Sequence, residues 1–135
     1  MDKTLYYMQK AIEQAEIAAA EKEVPVGAVI VRNDEIVATG RNRREQGKNA
    51  LLHAETDAIY NACQKLGGWR LWNCEIYVTL EPCPMCAGAI INAHIPKVYF
   101  GAYDLKNGAC GTIIMQEECS KLLTDFFKNL RNKKS

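Results

Sequence analysis

Two short patterns, His53-Ala54-Glu55 and Pro82-Cys83-Pro84-Met85-Cys86, each open a stretch of helical periodicity. Together they restrict the folds open to this chain more than any other feature. Two cysteines three apart at a helix start face the same side and can share one metal ion. The helix N-terminus adds partial positive charge and backbone donors, which favour the thiolate a metal requires. A Cys-x-x-Cys alone is a weak signal that also fits a redox pair. Joined to a histidine at the head of another helix, it predicts a metal site at which two helix N-termini meet.

The order of elements allows that meeting. Thr4 to Lys22 repeats Leu5, Met8, Ile12, Ala15 and Ala19 at helical spacing, and Glu23-Val24-Pro25 ends the run because a residue before proline is pushed out of the helical region. Ala28 to Val31 and Glu35 to Thr39 read as a hairpin around Asn33-Asp34. Gly40 to Leu52 reads as a polar loop. A second helix is expected over Ala54 to Leu66, closed by Gly67-Gly68. A strand over Glu75 to Thr79 runs into the cysteine motif, whose helix continues to about Ala93 with Pro84 in its first turn. Lys97 to Gly101 is a fourth strand, and a last helix is expected from about Glu117 to Asn129. Thr112 to Met115 fits either a short edge strand or the lead-in to that helix. Strands alternating with helices predict an α/β layered domain over residues 1–135, with a mixed sheet of four to five strands covered by helices.

His53, Cys83 and Cys86 give one imidazole and two thiolates. Structural zinc usually takes four protein ligands, whereas three and an open position is the catalytic arrangement, in which the metal makes a water nucleophilic near neutral pH. A structural site completed by Cys74 or Cys110 is the competing reading, and it leaves Glu55 unexplained. A carboxylate two residues after the histidine ligand can take a proton from water and return it to a leaving group. An isolated glutamate in a first helical turn is more often a dipole partner; the neighbouring ligands change that balance. The other histidine, His94, sits near a helix end and reads as surface or capping. Cys63 and Cys74 read as inert core thiols, and Cys110 and Cys119 have no motif around them.

The net charge of +1 excludes a chain that is basic as a whole, so any nucleic-acid contact must come from local patches. The tail with Lys128, Arg131, Lys133 and Lys134 is one candidate, and Arg41, Arg43, Arg44 and Lys48 form another. On charge alone a solvated face is the better reading of both. The first residues lack a basic stretch followed by an apolar run, and no apolar segment is long enough to span a bilayer, so a cytoplasmic protein without a membrane partner is expected. A reducing compartment argues against reading the six cysteines as disulfides.

H-x-E followed by P-C-x-x-C resembles the signature of zinc nucleobase deaminases. The likeness extends to Val24-Pro25-Val26-Gly27-Ala28-Val29, Gly40-Arg41-Asn42, Gly68-Trp69-Arg70-Leu71 and Tyr77-Val78-Thr79-Leu80-Glu81-Pro82-Cys83. It continues through Met85-Cys86-Ala87-Gly88-Ala89-Ile90, Gly101-Ala102 with Asp104 and Lys106, and Phe126-Phe127. Over nearly its whole length the chain is similar to bacterial tRNA adenosine deaminases. The resemblance implies a three-layer α/β/α cytidine-deaminase-like fold and a homodimer with one zinc per subunit. It also implies conversion of adenosine to inosine at the wobble position of a tRNA anticodon loop. Carried over by position, His53, Cys83 and Cys86 are the zinc ligands and Glu55 the proton shuttle. Asn42 holds the purine ring, Ala54 and Gly27 approach the base through backbone atoms, and Val26 walls it. Pro82, Asp104 and Lys106 join the substrate contacts. The chain departs from the family between Gly111 and the final helix, where Thr112 to Glu118 replaces a longer stretch with a helix and a fifth strand.

Other readings share the zinc site. A deaminase of free guanine, cytosine or cytidine would differ at the pocket rim, and a deaminase of single-stranded DNA is a further alternative. A catalytically silent zinc protein that only binds RNA or a partner is opposed by the intact set of His53, Glu55, Cys83 and Cys86.

Overall fold

The structure, a computed structural model, describes residues 3–102, 112–113, 119–125 and 128. In chain order the elements are α1 (Thr4–Ala20), β1 (Gly27–Arg32), β2 (Glu35–Arg41), α2 (Arg44–Gly47), α3 (Ala54–Leu66), β3 (Cys74–Leu80), α4 (Pro84–Asn92), β4 (Lys97–Ala102) and β5 (Thr112–Ile113). Residues 119–125 are helical again and are called α5. The five strands form one sheet in the order β2-β1-β3-β4-β5. β1 pairs antiparallel with β2 and β3, whereas β3–β4 and β4–β5 are parallel.

Strand side chains alternate between the two sheet faces, and both faces are apolar. Ala28 and Ile30 of β1, with Ile76 and Val78 of β3, pack under Ala54, Ala58 and Ala62 of α3 and Ile90 of α4. Val29, Val31 and Tyr77 face the other way, onto Tyr7, Met8, Ala11 and Ile12 of α1 and Cys119 of α5. The result is the expected α/β/α sandwich. Each fully buried Val or Ile contributes roughly 1.5–3 kcal/mol, so the central strands β1 and β3 form the rigid part to which the site is attached.

Two glycines set how closely the layers approach. A Cβ on Gly27 would lie 2.1 Å from the Ala11 carbonyl oxygen, and one on Gly40 would lie 2.4 Å from both Ala54 O and Ala58 N. Gly40 therefore lets β2 cross directly against the first turns of α3, the helix that carries the site.

The expected helices and strands form, with differences at their ends. The first helix stops at Ala20 instead of Lys22: Lys22 takes a φ of 66°, and the Glu23 N–H returns to the Ala18 carbonyl at 2.9 Å. That left-handed cap is a Schellman-type stop formed without glycine. The hairpin turn is made by Asn33 and Asp34, both at positive φ, as a tight two-residue turn requires. The stretch from Gly40 to Leu52 is more ordered than a loop, because β2 continues through Arg41 and α2 follows. Thr112–Ile113 is an edge strand parallel to β4, the strand reading for that half of the run, while residues 114 and 115 lie outside the described residues. Of the last expected helix, 119–125 and 128 are helical, and the rest of its span lies outside the described residues.

Candidate metal centre and active site

Helices α3 and α4 lie on the same sheet face, and both begin at the same end of it. His53 is the N-cap of α3, in extended backbone conformation, and its N–H donates to the Thr56 hydroxyl at 3.1 Å. Cys83 is the N-cap of α4, with Pro84 in the first turn, where its missing N–H costs nothing. Cys83 Sγ lies 3.8 Å and Cys86 Sγ 3.4 Å from His53 Nδ1. All three donor atoms fall within 4.8 Å of one another, the only such His/Cys/Asp/Glu group among the described residues. Tetrahedral zinc, with Zn–S near 2.3 Å and Zn–N near 2.0–2.1 Å, puts N and S about 3.5 Å apart, so the donor set fits zinc. Cys74 lies in the core under α3, outside this group, so no fourth protein ligand comes from it. Cys110 lies outside the described residues.

The protonation tendencies agree with a site built for a cation. Burial, assisted by the nearby Arg44, holds the His53 imidazole below its ordinary range, which keeps it neutral and able to ligate. Burial drives the Cys86 thiol strongly upward, with Glu55 and Cys83 adding to the effect. A positive ion bound in the site would reverse that preference. Glu55, buried in the first turn of α3, is pushed up to about 7 by burial, against which its hydrogen bond with Cys86 works.

A cavity of about 180 Å³ opens beside the ligands, lined by Val24, Val26, Asn42, Arg44, His53, Ala54, Glu55, Leu80, Glu81 and Cys83. Asn42 is buried. Its Oδ1 accepts the Arg44 N–H at 3.0 Å, and its own N–H donates to the Val26 carbonyl at 3.1 Å. With the oxygen engaged, the amide NH2 is the end left for a ligand.

Asn42, Ala54 and Val26 thus share a cavity with Glu55, His53 and Cys83. Gly27 and Pro82 are not among its lining residues. The Gly27 N–H donates to Thr79 Oγ1 at 3.1 Å and its other side is closed by α1, while Pro82 is fully buried. Asp104 and Lys106 lie outside the described residues. Val24, Leu80 and Glu81 were not anticipated, although each adjoins a motif residue. Half of the second basic patch is neutralised: Arg41 forks onto Glu21 at 2.7 and 3.1 Å, and Arg43 pairs with Asp57. Arg44 remains, at the cavity wall. His94 is exposed and lies beside Trp69 and Trp72, so the surface reading holds.

The family model of the cytidine and deoxycytidylate deaminase zinc-binding region matches residues 1–102. The chain belongs to that family. Within this deaminase family it is 44% identical to the tRNA-specific adenosine deaminase of Bacillus subtilis (strain 168), over 95% of this chain and 91% of the relative. That alignment runs over 146 positions against the 135 residues here, in keeping with a chain that lacks residues its relative has. A structure from a study of A-to-I editing by tRNA:A34 deaminases at the wobble position of transfer RNA superposes with a TM-score of 0.84. It is 34% identical and matches over 88% of this chain and 99% of that one. Guanine deaminase from Bacillus subtilis matches with a TM-score of 0.73 and 36% identity, over 76% of this chain and 66% of that one. The zinc-binding family and the His53, Cys83 and Cys86 cluster agree on one zinc ion per chain.

Proposed function

We propose that this deaminase converts adenosine to inosine at the wobble position of a tRNA anticodon loop, as a homodimer in the cytoplasm. The observation that carries the chemistry is the buried Glu55, pushed up to about 7 beside the ligand cluster and inside the same cavity as Asn42. The full-length likeness to tRNA-specific adenosine deaminases supports the substrate. No described helix is long and apolar enough to cross a membrane.

His53, Cys83 and Cys86 would hold the zinc, which when bound supplies a Lewis acid that makes water nucleophilic near neutral pH. Glu55 does the proton work. It accepts a proton from the attacking water and delivers it to a ring nitrogen as the C–O bond forms, then carries the second proton from the newly added hydroxyl to the amino group as the C–N bond breaks, so that water and adenosine give inosine and ammonia. Asn42 donates its amide NH2 to an acceptor atom of the base. Val26 offers an apolar wall, and Ala54 lies at the first turn of α3, where backbone N–H groups have no helical partner. In a duplex the target base is buried in its stack, so a flipped or single-stranded nucleotide is the form that can enter. Asp104, Lys106 and the basic tail residues Lys128, Arg131, Lys133 and Lys134 complete the proposed grip on RNA.

The dimer reading is supported by Tyr60 on α3 and Ile91 on α4, both exposed by more than half and both on the outer helical layer. The function is tested by incubating zinc-loaded protein with an anticodon stem-loop, single-stranded DNA, free guanine and cytidine, and identifying the product by mass. Inosine at the wobble adenosine supports the proposal. Efficient release of ammonia from guanine or cytidine, with the RNA untouched, transfers the assignment to the small-molecule deaminases.

A further inference from the structure

We propose that Asp57 is a positioning residue for Asn42: its carboxylate grips the residues on both sides of Asn42 and so aims the amide into the cavity. The inference rests on the deaminase reading above. Asp57 lies on α3 two residues beyond Glu55 and is only 5% exposed. Its Oδ2 accepts the backbone N–H of Arg41 at 3.1 Å, and its Oδ1 pairs with Nη2 of Arg43. Asn42 sits between them. A second buried carboxylate, Glu23, anchors the downstream side by accepting the N–H groups of Glu45 at 3.0 Å and Gln46 at 2.8 Å.

Buried carboxylates persist only where their hydrogen bonds and charge are met. Here the partners are the segment that carries the substrate amide. Arg43 Nε is itself buried without a partner among the described residues, so the Asp57 pairing is the contact that compensates the guanidinium. Asp57 is not among the residues lining the cavity and acts through Asn42 instead of touching the base. Its position also has a geometric consequence. Asp57 and Glu55 occupy the first turns of one rigid helix, so the clamp fixes the group that holds the ring relative to the group that moves the proton. Displacing one from the other by about 1 Å can cost on the order of a hundredfold in rate.

The test uses zinc-loaded wild type, Asp57→Ala, Asp57→Asn, Asn42→Ala and the Asp57→Ala/Asn42→Ala double variant. Zinc content and thermal midpoint are recorded for each. Asp57→Ala is expected to keep zinc and to lower kcat/KM on an adenosine-containing stem-loop about ten- to a hundredfold. Asp57→Asn still accepts the Arg41 N–H through its amide oxygen and recovers part of the loss. The double variant should match Asn42→Ala within about twofold, because a residue acting through Asn42 has nothing further to lose once Asn42 is gone. Fully additive losses overturn the proposal and make Asp57 merely structural. An arm without substrate, 15N relaxation of the Asn42 side-chain amide, expects order in wild type and Asp57→Asn and mobility in Asp57→Ala. An amide equally ordered in Asp57→Ala overturns it as well. Should wild type form no inosine, the deaminase reading falls by itself, while the Asn42 relaxation still decides whether Asp57 holds that amide.

Discussion

Cys86 Sγ lies 3.4 Å from His53 Nδ1, although 33 positions separate the two residues in the chain. The contact exists because α3 and α4 start side by side at one end of the same sheet face, α4 led in directly by the buried strand β3 and α3 held by Ala54, Ala58 and Ala62 against the same core. The metal centre is therefore a consequence of topology, and removing a ligand should be felt by both the metal and the fold.

Cys86→Ala should purify with little zinc and a lower thermal midpoint than wild type, since site formation and folding are coupled. Metal analysis by plasma mass spectrometry checks it. A fully zinc-loaded Cys86→Ala protein contradicts the ligand assignment.

Metal uptake should release protons, and zinc affinity should rise with pH. The Cys86 thiol is driven up by burial, so metal-free protein holds that proton at neutral pH and zinc must displace it. Titration calorimetry in two buffers of different ionisation enthalpy measures the released protons directly. Identical heats in both buffers would mean that the thiols are already ionised.

The two helix starts were legible because metal ligands, proline and glycine signal locally. His53, Cys83 and Cys86 converge as the spacing implied, and the expected span of α3, Ala54–Leu66, is the observed one. What the sequence hid depends on partners distant in the chain. Arg41 and Arg43 read as a basic patch until Glu21 and Asp57 are seen to neutralise them. Glu23 enters the sequence reading only as part of the stop to the first helix, yet it is 1% exposed and holds the N–H groups of Glu45 and Gln46 in α2. Gly27 is expected from the resemblance to approach the base through its backbone, yet its N–H is taken by Thr79 and its other side by α1.

Gly40→Ala should be destabilising by roughly 1–3 kcal/mol, the usual cost of forcing atoms into a packed interface. The new methyl would meet the Ala54 carbonyl and the Ala58 nitrogen at 2.4 Å, both of them backbone. Denaturant unfolding at constant zinc measures the loss, and a stability change below about 0.5 kcal/mol would mean that β2 and α3 can separate without penalty.

The buried Glu55 carboxyl gives metal-free protein a pH-dependent weakness. Its folded pKa is raised from the ordinary 4.5 to about 7, so the folded state favours the protonated form. The stabilisation is fully present below about pH 4.5 and is lost as pH rises through about 7. Glu55→Gln removes the ionisation, so its stability advantage over wild type should grow between those limits in chelated protein. Unfolding curves at both ends of the range measure it; an advantage that does not change with pH contradicts the burial argument.

The most direct measurement of the central claim is single-turnover inosine formation in an anticodon stem-loop by zinc-loaded wild type and Glu55→Gln. Wild type is expected to convert the wobble adenosine stoichiometrically. Glu55→Gln is expected to keep full zinc occupancy with a rate lower by about 10²–10⁴-fold, the usual contribution of a positioned proton-transfer group. Conversion at near wild-type rate by zinc-replete Glu55→Gln would show that another group moves the protons and would contradict the account.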